Sequence, residues 1–376
     1  MRVLITGGAG FIGSNLSLKL INMGYEVIVM DNLSPQIHGD NPTSSYTYRL
    51  IKNKVEFYKG DVTCYSDWQN VLNGTDIVIH LAAETGTGQS MYEVSKYVDV
   101  NICGTSKMLE VLTNEAHNVK KVIIASSRAI YGEGKYSCEE HGIVYPLSRF
   151  ESDMDQGDYE VKCPICHSNV EVLPTDESSE LHPTSVYGFT KQAQEQLCLL
   201  VGRSIGIPVV AFRFQNVYGP GQSLKNPYTG ILSIFSTRIK NGNDINIFED
   251  GKESRDFVYI DDITDGIILG MENDAANYQI FNVGSGESTD VFTVARFLKE
   301  NYSSNININI TGSYRLGDIR HNLGDLVKIN KLIGYSPKIS FEQGISNFVN
   351  WVESQEIEPD RYEASIDEMK MKGLYK

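Results

Sequence analysis

Basic residues are the scarce ones in this chain: 33 Lys and Arg stand against 48 Asp and Glu, a net charge of -15 over 376 residues. A field of that sign repels nucleic acid and anionic lipid, so neither is an expected partner, and an anionic ligand needs its own local basic pocket. Long apolar runs are also missing. No segment reads as a signal peptide or a membrane span, which predicts a cytoplasmic protein. Six cysteines are too few for a disulfide scaffold at this length, and close pairs among them point to metal in a reducing compartment. Repeats and low-complexity tracts are absent.

What is present is the balance of a globular protein with a large core: 41% hydrophobic and 22% charged residues. Short β-branched runs, Val3-Leu4-Ile5, Val27–Met30, Val55-Glu56-Phe57, Ile77–Leu81 and Val122–Ala125, alternate with helical periodicity at 11–23 and 94–116. That alternation predicts a Rossmann-type α/β fold, a parallel sheet wound on both faces. Residues 132–184, rich in Cys, Pro, Glu and Ser, carry no sustained period and read as an insertion. The pattern resumes with a helix over 186–204 and a strand at Val209–Phe214. The organisation expected is a dinucleotide-binding domain over 1–218 containing the insertion, a smaller α/β substrate lobe mainly over 219–352, and a charged tail over 353–376. The tail is expected to hold a peripheral helix, with no function assigned to it.

Gly7-Gly8-Ala9-Gly10-Phe11-Ile12-Gly13 follows the first strand and opens a helix. In that context Gly7 permits the tight turn, Gly10 lets a pyrophosphate approach the backbone, and Gly13 lets helix and strand pack closely. The free amides of the helix start receive the phosphate. Asp31, followed by Asn32 at the end of the second strand, suits the ribose hydroxyls and would repel a 2′-phosphate, so NAD is favoured over NADP. Asp61-Val62 and Leu81-Ala82-Ala83 sit at strand ends where such folds place their ligand. Alone, glycines of this kind can simply make a turn; strand, spacing and Asp31 together specify the site.

Tyr187 and Lys191 stand at i and i+4, so both project from one helix face. A phenol is a poor base at neutral pH unless neighbouring cations stabilise its anion, which a lysine ammonium and an oxidised nicotinamide would do. Ser127, ending the strand Val122–Ala125, is placed to be a second donor to the reacting oxygen.

These pieces, with His80-Leu81-Ala82-Ala83, Ser126–Gly132, Arg213–Pro220 and Arg255-Asp256-Phe257-Val258, resemble the extended short-chain dehydrogenase/reductase family in its nucleotide-sugar epimerase and dehydratase branch, over residue 1 to about 350. The resemblance implies that Ser127, Tyr187 and Lys191 are catalytic. It implies that Asn101 helps position the lysine, and that Asn216, Arg255 and Arg315 hold the phosphates of a nucleotide sugar, with Thr85 and Arg128 also at the substrate. A homodimer built on the helices near 94–116 and 186–204 follows from the same resemblance.

Dehydratase members carry an Asp-Glu pair where this chain has Arg128-Ala129, so hydride chemistry at one carbon, C4 of the hexose, is expected rather than removal of water. Epimerisation through a retained NAD is favoured over single reduction of a keto sugar; a non-catalytic dinucleotide sensor would be expected to have lost Tyr187 or Lys191. Between Ser127 and Tyr187, Cys138-x-x-His141 and Cys163-Pro164-Ile165-Cys166 form two close pairs, a candidate structural zinc site with His167 as substitute ligand. This insertion resembles that of bacterial dTDP-L-rhamnose 4-epimerases and related dTDP-6-deoxyhexose enzymes, which makes a dTDP-6-deoxyhexose the expected substrate. Cys64, Cys103 and Cys198 are expected to be packing residues.

Overall fold

The computed structural model describes residues 1–226 and 230–376. Seven parallel strands form its main sheet: β1 (Arg2–Thr6), β2 (Glu26–Asp31), β3 (Glu56–Lys59), β4 (Ile77–His80), β5 (Lys121–Ser127), β6 (Val209–Phe214) and β7 (Ile280–Val283). Their order is β3-β2-β1-β4-β5-β6-β7, so Val3 pairs with Val27 on one side and Ile77 on the other. A parallel sheet covered on both faces needs apolar residues at successive positions, and β1 shows it. Val3 and Ile5 enter one core, Leu4 the other, each core lying beneath its own layer of helices.

Strand order reverses between β1 and β4. The carboxyl ends of these strands therefore open a crevice, and the glycine loop after β1 lies beside the Leu81–Ala83 turn after β4. The helix expected over 94–116 is continuous from Val94 to Asn114, but Val98–Cys103 winds as a π turn. Helix Val186–Ile205 is fixed at both ends. Ser185 Oγ accepts from Gly188 N at 3.1 Å, and Gly206 closes the other end at φ 73°, a left-handed conformation suited to glycine.

Two features add to the expected layout. β7 comes from beyond residue 218, because Phe281 and Val283 complete the core face of β6 at Phe212 and Phe214. The insertion is also ordered: Tyr136–Cys138 pairs with both Gly142–Val144 and Glu171–Val172 in a small antiparallel sheet. Strands of two or three residues are too short to show a period in the sequence. The remaining substrate-lobe core gathers Leu232, Phe235, Val294, Leu298, Ile345 and Phe348 from three helices. Among the described residues, no helix is long and apolar enough to cross a membrane.

Candidate active site

The glycine loop is shaped by close approach. Gly7 N donates to Met30 O at 2.9 Å, and with φ at 66° a Cβ on Gly7 would lie 2.8 Å from Ala82 N. A Cβ on Gly13 would meet Gly7 O at 2.5 Å, so the helix Phe11–Asn22 starts against the loop only because both positions are bare. Asp31 lies below: its Oδ2 accepts from Ala9 N at 3.0 Å and its Oδ1 from Leu33 N at 2.8 Å. Burial raises its pKa against those bonds. His38 Nε2 stands 3.8 Å from Asp31 Oδ1, and burial lowers the pKa of this histidine, which nothing in the sequence had singled out.

A single cleft of about 940 Å³ is lined by Gly7, Gly10, Phe11, Ile12, Gly13, Asp31 and Asn32, with Val62, Leu81, Ala82 and Ala83 beside them. Thr85, Ser127, Arg128, Tyr187, Lys191, Asn216, Arg255 and Arg315 line it too. Two residues expected at the cofactor stand one layer behind the wall. Asp61 Oδ2 accepts from Asn32 Nδ2 at 3.0 Å. Asn101, fully buried on the π turn, accepts from Glu84 N at 2.8 Å and donates to Thr190 Oγ1 at 2.9 Å, tying the loop after β4 to the residue preceding Lys191.

Ser127 Oγ accepts from Ala129 N at 3.1 Å and stands beside the Tyr187 phenol, whose anion it favours. Burial raises the Tyr187 pKa; the Ser127 hydroxyl and the Arg128 charge work against it. The cation favouring its anion here is thus Arg128, whereas the Lys191 ammonium donates to Gln194 Oε1. Burial lowers Lys191 to about 8. Gln194 continues a buried chain the sequence did not reveal: its Nε2 donates to Thr105 Oγ1 at 2.8 Å, and Thr105 lies 3.1 Å from His80 Nε2. His80 Nδ1 in turn lies 2.6 Å from Thr6 Oγ1, and burial drops this imidazole to about 3, so it is neutral.

Farther along the cleft the arginines are held by their own surroundings. Arg255 donates to the carbonyls of Ser254, Arg320 and Ile319 at 2.8 to 2.9 Å. Arg315 Nε donates to Asp318 Oδ2 at 2.8 Å while its guanidinium lies over the Phe248 ring. Burial, then repulsion from Arg255, lowers Arg128 to about 10. Asn216 Oδ1 is buried and without a hydrogen-bond partner among the described residues, an acceptor left free at the cleft wall.

In the insertion, Cys138, His141, Cys163 and Cys166 converge, with ligand atoms within 4.8 Å of one another. Cys138 Sγ lies 3.6 Å from His141 Nδ1 and 3.7 Å from Cys166 Sγ; Cys163 Sγ lies 3.8 Å from His141 Nδ1. His167 is turned away, with φ at 59° and its ring against Phe150. Cys198 is buried in the core as a packing residue, while Cys64 and Cys103 are half-buried.

Comparison with known proteins matches the family model "NAD dependent epimerase/dehydratase family" at residues 3–151 and 166–284. The dTDP-L-rhamnose 4-epimerase of Burkholderia thailandensis is 36% identical over 362 residues, covering 95% of this chain and 96% of that protein. Among solved structures, a UDP-glucose 4-epimerase from Thermotoga maritima, with UDP-glucose, superposes at a TM-score of 0.76 and 31% identity, covering 94% of this chain and 99% of the other. A UDP-glucuronic acid 4-epimerase from Bacillus cereus, in complex with UDP-glucuronic acid and NAD, superposes at 0.77 and 25% identity over the same shares. On its sequence, its doubly wound sheet and the cleft at the strand ends, this chain belongs to the NAD dependent epimerase/dehydratase family.

Proposed function

We propose that the protein is an NAD-dependent nucleotide-sugar 4-epimerase acting at C4 of a dTDP-6-deoxyhexose such as dTDP-L-rhamnose, through a 4-keto intermediate. The observation that carries this reading is convergence: the glycine cradle, the Ser127–Tyr187 pair, and Asn216 with Arg255 and Arg315 all face one cleft. The bare Gly7 and Gly13 positions and the Asp31 carboxylate fit an adenine dinucleotide lacking a 2′-phosphate. Bound NAD supplies the hydride acceptor and, when oxidised, a positive charge beside the phenol. Tyr187 takes the proton of the C4 hydroxyl, and Ser127 holds the oxygen as the carbonyl forms. Arg128 supplies positive charge to the phenol's surroundings, and Lys191, one helical turn on, is the cation that the family resemblance assigns to the same task. The planar forks of Arg255 and Arg315 suit a diphosphate. With NAD held by the glycine loop, the ketone would stay in the pocket, turn over, and regain hydride on its other face and its proton from Tyr187, which inverts C4.

Two further assignments belong to this reading. Cys138, His141, Cys163 and Cys166 bind a structural zinc, since Zn–S bonds of about 2.3 Å give tetrahedral edges of about 3.8 Å, close to the 3.7 Å Cys138–Cys166 separation. The protein acts in the cytoplasm as a homodimer that pairs the helical run from Val94 with Val186–Ile205, because Phe189 and Leu200 leave apolar surface exposed on the latter helix.

Incubation of the purified protein with dTDP-L-rhamnose, and separately with a dTDP-4-keto-6-deoxyhexose plus NADH, tests the proposal. Isomer formation without added cofactor supports it. Stoichiometric NADH loss without isomerisation makes the protein a 4-ketoreductase, and inertness in both, with dinucleotide bound, makes it a sensor.

A further inference from the structure

The charged C-terminal segment does not stay peripheral. Helix Tyr362–Met371 buries Tyr362, Ile366 and Met369, three positions on one helical face, against Phe248, Ile234, Leu374 and Tyr375. Beyond the helix the chain pairs with the segment that bears Arg315: Tyr314 N donates to Lys376 O at 2.9 Å, Leu316 N to Leu374 O at 3.0 Å, and Lys376 N to Tyr314 O at 3.0 Å. Tyr362, Ser365, Ile366 and Met369 thereby line the cleft that holds Tyr187. The Arg315 guanidinium sits 5.1 Å from the centroid of the Phe248 ring and within electrostatic reach of Tyr362.

A nucleoside-diphosphate sugar is a linear ligand. With its sugar at Tyr187 and its diphosphate at Arg255 and Arg315, the base has to lie past the arginines, where Arg315 overlies Phe248 and where Ile366 and Met369, packed with Phe248, line the cleft. We propose that helix Tyr362–Met371 is the nucleobase-selecting wall of this cleft, and that Ile366 and Met369 favour a pyrimidine carrying an apolar substituent, thymine over uracil. The inference rests on the nucleotide-sugar reading above. Burial of one methyl group against an apolar wall corresponds to roughly fourfold in affinity.

The test is calorimetric titration of the full-length, NAD-saturated protein with dTDP and with dUDP, which lacks only the 5-methyl group, alongside Ile366→Asn and Met369→Gln. The unaltered protein should bind dTDP about fourfold more tightly than dUDP. Each variant should lose most of that ratio through weaker dTDP binding, with unchanged NAD affinity. Equal affinities in the unaltered protein, an unchanged ratio in both variants, or a fall in NAD affinity in step with dTDP would overturn the inference. A protein that binds neither diphosphate overturns instead the nucleotide-sugar reading on which it rests.

Discussion

Arg149 and Glu249 are joined through both guanidinium nitrogens, at 2.9 and 2.7 Å, across 100 residues of sequence. Arg149 belongs to the insertion and Glu249 lines the cleft, so the pair fastens one to the other. Arg320, wholly buried, reinforces the contact by donating to Glu249 at 2.9 Å and to Glu160 of the insertion at 2.6 Å. Without Arg149 the Glu249 carboxylate keeps Arg320 as its guanidinium partner, so the cost is about 1–3 kcal/mol rather than that of a fully stranded buried charge. Arg149→Met should therefore lower the unfolding free energy measured in urea by that amount, and Arg149→Met combined with Glu249→Leu should recover part of it. An unshifted midpoint in the single variant would mean the insertion contributes no such fastening.

Gly7 sits where a side chain is doubly opposed, by its positive φ and by Ala82 N. Forcing an L-residue into the left-handed region costs roughly 1–2 kcal/mol of stability; the clash with Ala82 N must in addition displace the loop, so Gly7→Ala should also weaken NAD binding, by about tenfold for each 1.4 kcal/mol of lost contact. Gly24→Ala provides the control: its φ is 87° but nothing lies within 4 Å of the added Cβ. That variant should lose stability and keep its NAD affinity. Equal NAD affinity in the two variants would remove the cofactor role from the loop.

The sheet was legible because burial on both faces forces unbroken apolar runs, and the glycine loop because the residues that build it are contiguous. Spacing placed Tyr187 and Lys191 on one helix, but not the partner of the ammonium: Gln194 is only one turn away, yet whether it bonds Lys191 depends on rotamer and burial. Arg149, Glu160 and Arg320 were invisible for a related reason, since charged residues far apart in sequence declare no partner until the chain folds. The terminal helix is a different case. Tyr362, Ile366 and Met369 already carried an i, i+4, i+7 apolar stripe, and the surrounding charge obscured it.

The zinc proposed for the insertion makes its own prediction. Binding of a structural metal is linked to folding, so the purified protein should carry one equivalent by elemental analysis, and a strong chelator should lower its melting temperature. Cys163→Ser should reproduce the effect of chelation, because Cys163 is wholly buried in the small core of the insertion with Tyr136, Val144 and Val161. His167→Ala should leave metal content unchanged, as that ring faces Phe150. Metal-free protein that melts like the untreated enzyme would leave four ligands with nothing to hold.

The depressed pKa of Lys191 has consequences of opposite sign for stability and activity. Burial lowers it from 10.5 to about 8, so the folded protein binds this proton less tightly than the unfolded chain does. Its contribution to stability is thus fully present above the unfolded pKa and is lost as pH falls through about 8, a swing on the order of 3 kcal/mol. Measured against Lys191→Met, the unaltered protein should gain stability between pH 8 and 10.5. Activity should move the other way, because the ammonium is the form that favours a phenolate: kcat/KM should decline above about pH 8. Gln194→Leu removes the acceptor that holds the charged form, so it should carry this alkaline limb to lower pH while leaving nucleotide affinity intact. A limb that stays in place would detach Gln194 from the titration; a profile flat to pH 10 would detach Lys191 from the chemistry.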